Sequence, residues 1–183
     1  MGLWLTEGCP QAFKQHPAIW EEVRTWLASQ LRICSKEITV VGSARFGFSL
    51  APKTWGWPFT EKSDLDLAVV SSTLFSTVTE TFHEWMNDYR LGNVSPRNDN
   101  ERRFWEGNRA FGSKSIPHGF YDSDKLPTLH RYPVAKEIGN AMWLLKAKLD
   151  CTPESPKIKR ASVRIYRDWM SLIARTSLNL KWV

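Results

Sequence analysis

The stretch Ser63-Asp64-Leu65-Asp66-Leu67-Ala68-Val69-Val70 leaves little freedom in how the chain around it folds. Side chains alternate across a strand with period two, so a strand here sets Asp64 and Asp66 side by side on one face and turns Leu65, Leu67 and Val69 to the other. The apolar face demands a core. The acidic face must meet solvent or a cation, because like charges this close repel, and paired hard oxygen ligands suit Mg²⁺ (or Mn²⁺) bound together with substrate phosphates. The plainer alternative is a buried strand carrying two solvated carboxylates.

A shorter apolar run, Ile38-Thr39-Val40-Val41, precedes this strand and ends in Gly42-Ser43. Gly42 lets backbone approach a ligand closely, and Ser43 offers a hydroxyl and an N–H where a helix begins, which together make a phosphate cradle. Arg45 follows directly, and a guanidinium matches phosphate geometry, although an arginine on a helix surface would read the same way.

Gly42-Ser43-Ala44-Arg45-Phe46-Gly47 followed by Ser63-Asp64-Leu65-Asp66 resembles the signature of the DNA polymerase β-like nucleotidyltransferase superfamily in its small bacterial stand-alone form. The resemblance covers residues 38 to 71, and the helical pattern from Pro17 to Arg32 falls where such folds place a helix. It implies an α/β (α+β) fold with a small mixed sheet flanked by helices. It also implies Mg²⁺-dependent transfer of a nucleotidyl group from an NTP such as ATP to a hydroxyl of a protein, RNA or nucleotide acceptor, in a bacterial defence or toxin–antitoxin setting. In that scheme Gly42, Ser43, Arg45 and Ser63 hold the nucleotide, and Asp64 and Asp66 bind the metal and serve catalysis. The family supplies a third carboxylate from a later strand that helps bind metal or takes the acceptor's proton. Asp122 in Phe120-Tyr121-Asp122-Ser123-Asp124 is the candidate, with Asp124 second, and both also read as turn or cap acids. A chain with only the pair would bind nucleotide, RNA or a protein partner without catalysis.

A chain of 183 residues, 42% hydrophobic with ten Trp, is long enough to bury a sizeable core and reads as one domain, with its nucleotidyltransferase core over 17–130 and a helical part over 134–183. Cys9, Cys34 and Cys151 are odd in number and widely spaced, so they read as free thiols in a reducing compartment. No apolar run approaches membrane-spanning length, and Met1-Gly2-Leu3-Trp4 lacks the basic start of a signal peptide, so the expectation is a cytoplasmic protein with no membrane partner.

Phe75, Val78, Phe82, Trp85 and Tyr89 predict a helix over 73–90, and Ile138, Met142, Leu145 and Leu149 another over 135–148. Between them a short helix is expected around Phe104 and Trp105, then a long loop over 112–133 with a short strand near Phe120. The aromatic insertion from Ala51 to Phe59, with Lys53 and then Lys62 nearby, reads as a loop pinned to the core by its rings, or as a wall against which a base stacks. From Lys157 onward Val163, Tyr166, Met170 and Ile173 recur at helical spacing, which gathers Lys157, Arg160, Arg164, Arg167 and Arg175 within roughly eighty degrees of arc. Part of the +6 net charge would then form a stripe for RNA or nucleotide phosphates, or simply a solvated face.

Overall fold

Both apolar runs around the Gly-Ser turn are strands in the computed structural model, which describes residues 7–180: β1, Ile38–Val41, and β2, Leu65–Val70. They pair antiparallel, with Val41 opposite Asp66. Two further strands, β3 (Phe120–Asp122) and β4 (Ala161–Tyr166), complete a mixed sheet of order β1-β2-β4-β3. The pairing of β2 with β4 is parallel and sets Asp66 opposite Ser162, while β3 runs antiparallel to β4 with Asp122 opposite Arg164. The molecule is thus a mixed α/β fold on a small four-stranded sheet. The Met1–Trp4 stretch and residues 181–183 lie outside the described residues.

One face of the sheet is apolar by alternation. Leu65, Leu67 and Val69 of β2 and Val163 and Ile165 of β4 are almost fully buried in a core shared with the long helices. Each such side chain contributes about 1.5–3 kcal/mol when removed from water. Three helices cover this face, α1 (Pro17–Leu31), α3 (Ser72–Leu91) and α5 (Pro133–Cys151), and a single short turn of helix, α2 (Ser43–Phe46), follows β1. Pro17 at the first position and left-handed Arg32 after the last residue bound α1. For α3 the Ser71 hydroxyl accepts from the Leu74 N–H, and Gly92 in the left-handed region ends the helix. Asp88 is buried near that end and accepts hydrogen bonds from Asn93, at 3.0 Å, and from the Tyr132 hydroxyl, at 2.7 Å. These bonds hold its carboxyl below the usual range and tie α3 to the start of α5.

Two stretches depart from the sequence reading. Instead of a short helix near Phe104 and a loop from 112, one helix, α4, runs from Asp99 to Ser115, capped by the Asn98 side chain accepting from the Glu101 N–H at 2.9 Å. Its inner face presents Trp105, Asn108, Gly112 and Ser115 rather than a row of large apolar residues. Glycine is required there because α4 lies against the ring of Phe82: a Cβ on Gly112 would stand 2.3 Å from Phe82 Cε2. Phe82 is itself wedged against Trp85 and Tyr121, and Trp85 meets Trp105 edge-on at 5.7 Å.

The second departure is the expected helix from Lys157. Residues 161–166 form β4, and the helix, α6, begins only at Trp169 and runs to Leu180. The C-terminal part is therefore not wholly helical, and β4 is an inner strand of the sheet. Leu172 of α6 packs on Ala68, Val70, Phe120 and Tyr166 over part of the second face, while the end of that face bearing Asp64, Asp66 and Ser162 stays partly open. Among the described residues no helix is long and apolar enough to cross a membrane.

Gly112→Ala tests the α4 contact. Glycine to alanine inside a helix ordinarily stabilises by about 0.5–1 kcal/mol, but overpacking against Phe82 should reverse the sign and cost about 1–3 kcal/mol. Urea unfolding at equilibrium reads the difference, and a variant as stable as the parent or more so would show that the α3–α4 contact has room to spare.

Candidate functional site

Gly42 joins β1 to α2 with φ +66° and ψ −154°, a backbone conformation essentially confined to glycine. The conformation brings the turn down onto β2, where a Cβ at Gly42 would sit 3.1 Å from Asp66 Oδ2. Ser43 opens α2, and Gly42, Ser43 and Asp66 all line one cleft of about 910 Å³. The antiparallel register that places Val41 opposite Asp66 is what brings turn and carboxylate together.

The two carboxylates of β2 have different surroundings. Asp66 Oδ1 accepts from the Ser162 hydroxyl at 2.7 Å. Asp64 Oδ2 accepts from Arg160 Nε at 2.8 Å, while Asp64 Oδ1 is buried with no hydrogen-bond partner among the described residues. Arg160 precedes β4, lines the cleft, and is 66% exposed along its side chain. Its hydrogen bond to Asp64 and the attraction of that carboxylate raise the guanidinium pKa.

Asp122 lies on β3, where Arg164 grips it through two hydrogen bonds, Nε to Oδ1 and Nη2 to Oδ2. Burial works against the Arg164 charge, and the Asp122 carboxylate with the Tyr166 hydroxyl outweighs it, so the guanidinium pKa is raised. Asp122 faces the same cleft as Asp66, but β4 stands between them. The two backbones stand two strand spacings apart, about 10 Å, and both Asp122 oxygens accept from Arg164. Asp124 also lines the cleft, paired with Lys125 at 3.6 Å. Among the described residues no group of three His, Cys, Asp or Glu side chains is placed to hold a metal ion.

Other expected residues are placed elsewhere. Arg45 does not face the cleft: it is 8% exposed, and its guanidinium donates to the Glu7 and Gly8 carbonyls, with burial lowering its pKa. Ser63 Oγ accepts from the Thr60 N–H at 3.0 Å and its carbonyl from the Lys159 N–H at 2.9 Å, so it shapes the entry to β2. The basic stripe is dispersed because its residues do not share a helix. Lys157 Nζ donates to the carbonyls of Leu149, Asp150 and Thr152 at the end of α5, and Arg167 pairs with Asp168 at 2.9 Å. The aromatic insertion is less firmly pinned than expected. Phe59 packs on the core, but Phe48 beside the insertion and Trp55 and Trp57 within it are exposed.

Three residues that matter here escaped the sequence reading in their actual role: Ser162, Arg160 and Arg164. The alternation Ser162-Val163-Arg164-Ile165-Tyr166 carried a strand signal. Arg164 and, from α6, Arg175 both lie against the ring of Phe120, at 5.3 and 5.1 Å, and line the cleft.

The donor set fits Mg²⁺. Asp64 and Asp66 offer hard oxygens on one strand face, Asp64 Oδ1 is a buried acceptor without a donor, and Mg²⁺ takes one or two carboxylates with waters and phosphates completing its sphere. Comparison with family models, with curated proteins and with solved structures finds no match to this chain.

Gly42→Ala should cost about 1–3 kcal/mol of stability through its strained backbone and lower affinity for a triphosphate by pushing on Asp66. Calorimetric titration with Mg²⁺ and a non-hydrolysable NTP on the folded variant reads the second effect, and an affinity equal to the parent's would remove Gly42 from the site.

Proposed function

We propose that this chain binds a nucleoside triphosphate with Mg²⁺ in the cleft between Gly42 and Asp66 and transfers its nucleotidyl group to a hydroxyl acceptor, as the sequence resemblance implies. One observation carries the reading: the glycine-only turn rests on the carboxylate of Asp66, one residue away from an Asp64 oxygen that is buried without a partner. Asp64 and Asp66 would hold the metal, whose charge when bound offsets the negative charge that develops on the leaving pyrophosphate. Gly42 and Ser43 would cradle the phosphates, and Arg160 and Arg175, which line the same cleft, would supply cations. In the transfer, the acceptor oxygen forms a bond to the α-phosphorus, the bond to pyrophosphate breaks, and the hydroxyl proton passes to a carboxylate lining the cleft.

A second reading has its own observation. β4, adjoining the carboxylate strand, and the residue before it bring Ser162 and Arg160 rather than an acid to Asp66 and Asp64, and Asp122 is engaged by Arg164. That arrangement favours a protein that binds nucleotide or another phosphate-bearing ligand without transferring it.

One experiment separates the two. Asp66→Asn should lose Mg²⁺-dependent NTP binding by ten-fold or more while remaining folded, since only one charge of a repelling pair is removed. Incubation of the parent with α-labelled NTPs, Mg²⁺ and cell extract should then label protein or RNA. Binding without transfer selects the second reading, and NTP affinity unchanged in Asp66→Asn sinks both.

A further inference from the structure

The cleft extends beyond the phosphate turn. Its far wall is α5, which contributes Gly139, Met142, Trp143 and Lys146, and a second cavity of about 430 Å³ adjoins it, lined by Thr128, His130, Lys136, Gly139 and Asn140. Thr128 and Gly139 belong to both, so the two form one groove. Sites for single small molecules run to roughly 300–1,000 Å³, and the main cleft alone is already near that limit.

Trp143 stands on this wall 70% exposed, the most exposed tryptophan among the described residues. Helical side chains lean over the turn before them, which for Trp143 is the turn holding Gly139. A Cβ at Gly139 would meet nothing within 4 Å, so no packing contact asks for glycine there, and glycine inside a helix is less favourable than alanine. Its effect is to leave an open strip of bare backbone on that wall. The charge around the strip is mainly positive. The main cleft is lined by Lys125, Lys146, Arg160, Arg164 and Arg175 against Asp66, Asp122 and Asp124, and the adjoining cavity adds Lys136. Lys146, Lys125, Arg160 and Arg164 are paired with Asp150, Asp124, Asp64 and Asp122, the Arg160 pair largely in solvent, whereas no ion pair engages Lys136 or Arg175 among the described residues.

We propose that this groove binds a single-stranded nucleic acid, with a base stacked on Trp143 and backbone phosphates along Lys136, Lys146 and Arg160. An exposed aromatic beside a cationic track is the combination that holds such strands, because every base has a face to stack and every phosphate a charge to neutralise. Naming that strand as the acceptor of nucleotidyl transfer rests on the function proposed above, while the binding itself does not.

The test is fluorescence anisotropy of short labelled RNA and DNA homopolymers with the full chain over a salt series, alongside NTP titration with Mg²⁺. Binding should weaken steeply with salt, Trp143→Ala should lower oligonucleotide affinity about ten-fold or more, and Trp143→Phe should retain most of it. Lys136→Gln should flatten the salt slope by about one unit. NTP affinity should not change in Trp143→Ala. RNA bound in preference to DNA, or both alike, supports the groove and identifies the strand. The proposal is overturned if no oligonucleotide binds at low salt, which leaves α5 a protein-docking face, or if Trp143→Ala binds oligonucleotide like the parent. It is equally overturned if Trp143→Ala loses NTP affinity in step, which makes the indole the seat of the nucleotide's own base. Oligonucleotide binding without any NTP binding would keep the groove and reject the nucleotidyl-transfer reading.

Discussion

The parallel pairing of β2 with β4 is the constraint on which the site depends. It joins residues nearly a hundred positions apart and sets Asp66 opposite Ser162 with Arg160 beside Asp64. Parallel neighbours need a long crossover, and here the intervening chain supplies α3, α4, β3 and α5. Much of the core is therefore built from the connection between the two strands that make the site. Leu65, Leu67, Val163 and Ile165 anchor the pairing from the buried side, so the polar alternates on the other side have fixed positions.

Those polar alternates solve an electrostatic problem. Two carboxylates separated by a single residue on one strand face repel each other. Arg160 provides a compensating charge for Asp64 from a side chain that is mostly in solvent, where an ion pair contributes little and rearranges easily. Arg164 behaves differently: it is partly buried, fixed to Asp122 by two hydrogen bonds and held against Phe120. Arg160 is thus the exchangeable partner of its carboxylate and Arg164 the fixed one. Under the proposed function, a divalent ion at Asp64 and Asp66 would compete with Arg160 for the Asp64 carboxylate, and a triphosphate would offer Arg160 a new partner.

Much of this was legible in the sequence. The strands β1 and β2 and the helices α1, α3 and α5 followed from periodicity, and the meeting of Gly42, Ser43 and Asp66 from the family resemblance of the two motifs. What misled was local. Val163 and Tyr166 fit a helical spacing with Met170 and Ile173, and the period-two pattern of Ser162, Val163, Arg164 and Ile165 lay under it. In α4, close approach to Phe82 calls for Gly112 where a helix pattern calls for an apolar side chain. Arg45 has the chemistry of a phosphate ligand, yet the fold buries it under the Glu7 and Gly8 carbonyls. The partners of Asp64 and Asp66 depend on a strand register that no local pattern encodes.

If Arg160 occupies the position a divalent ion would share, removing its charge must improve metal binding in the absence of any nucleotide. Electron paramagnetic resonance of Mn²⁺ titrated into the parent and into Arg160→Gln, with Asp64→Asn as the control that destroys the site, measures this directly. Mn²⁺ should bind more tightly to Arg160→Gln and not to Asp64→Asn. Binding that is unchanged or weaker in Arg160→Gln would rule out competition between Arg160 and the ion.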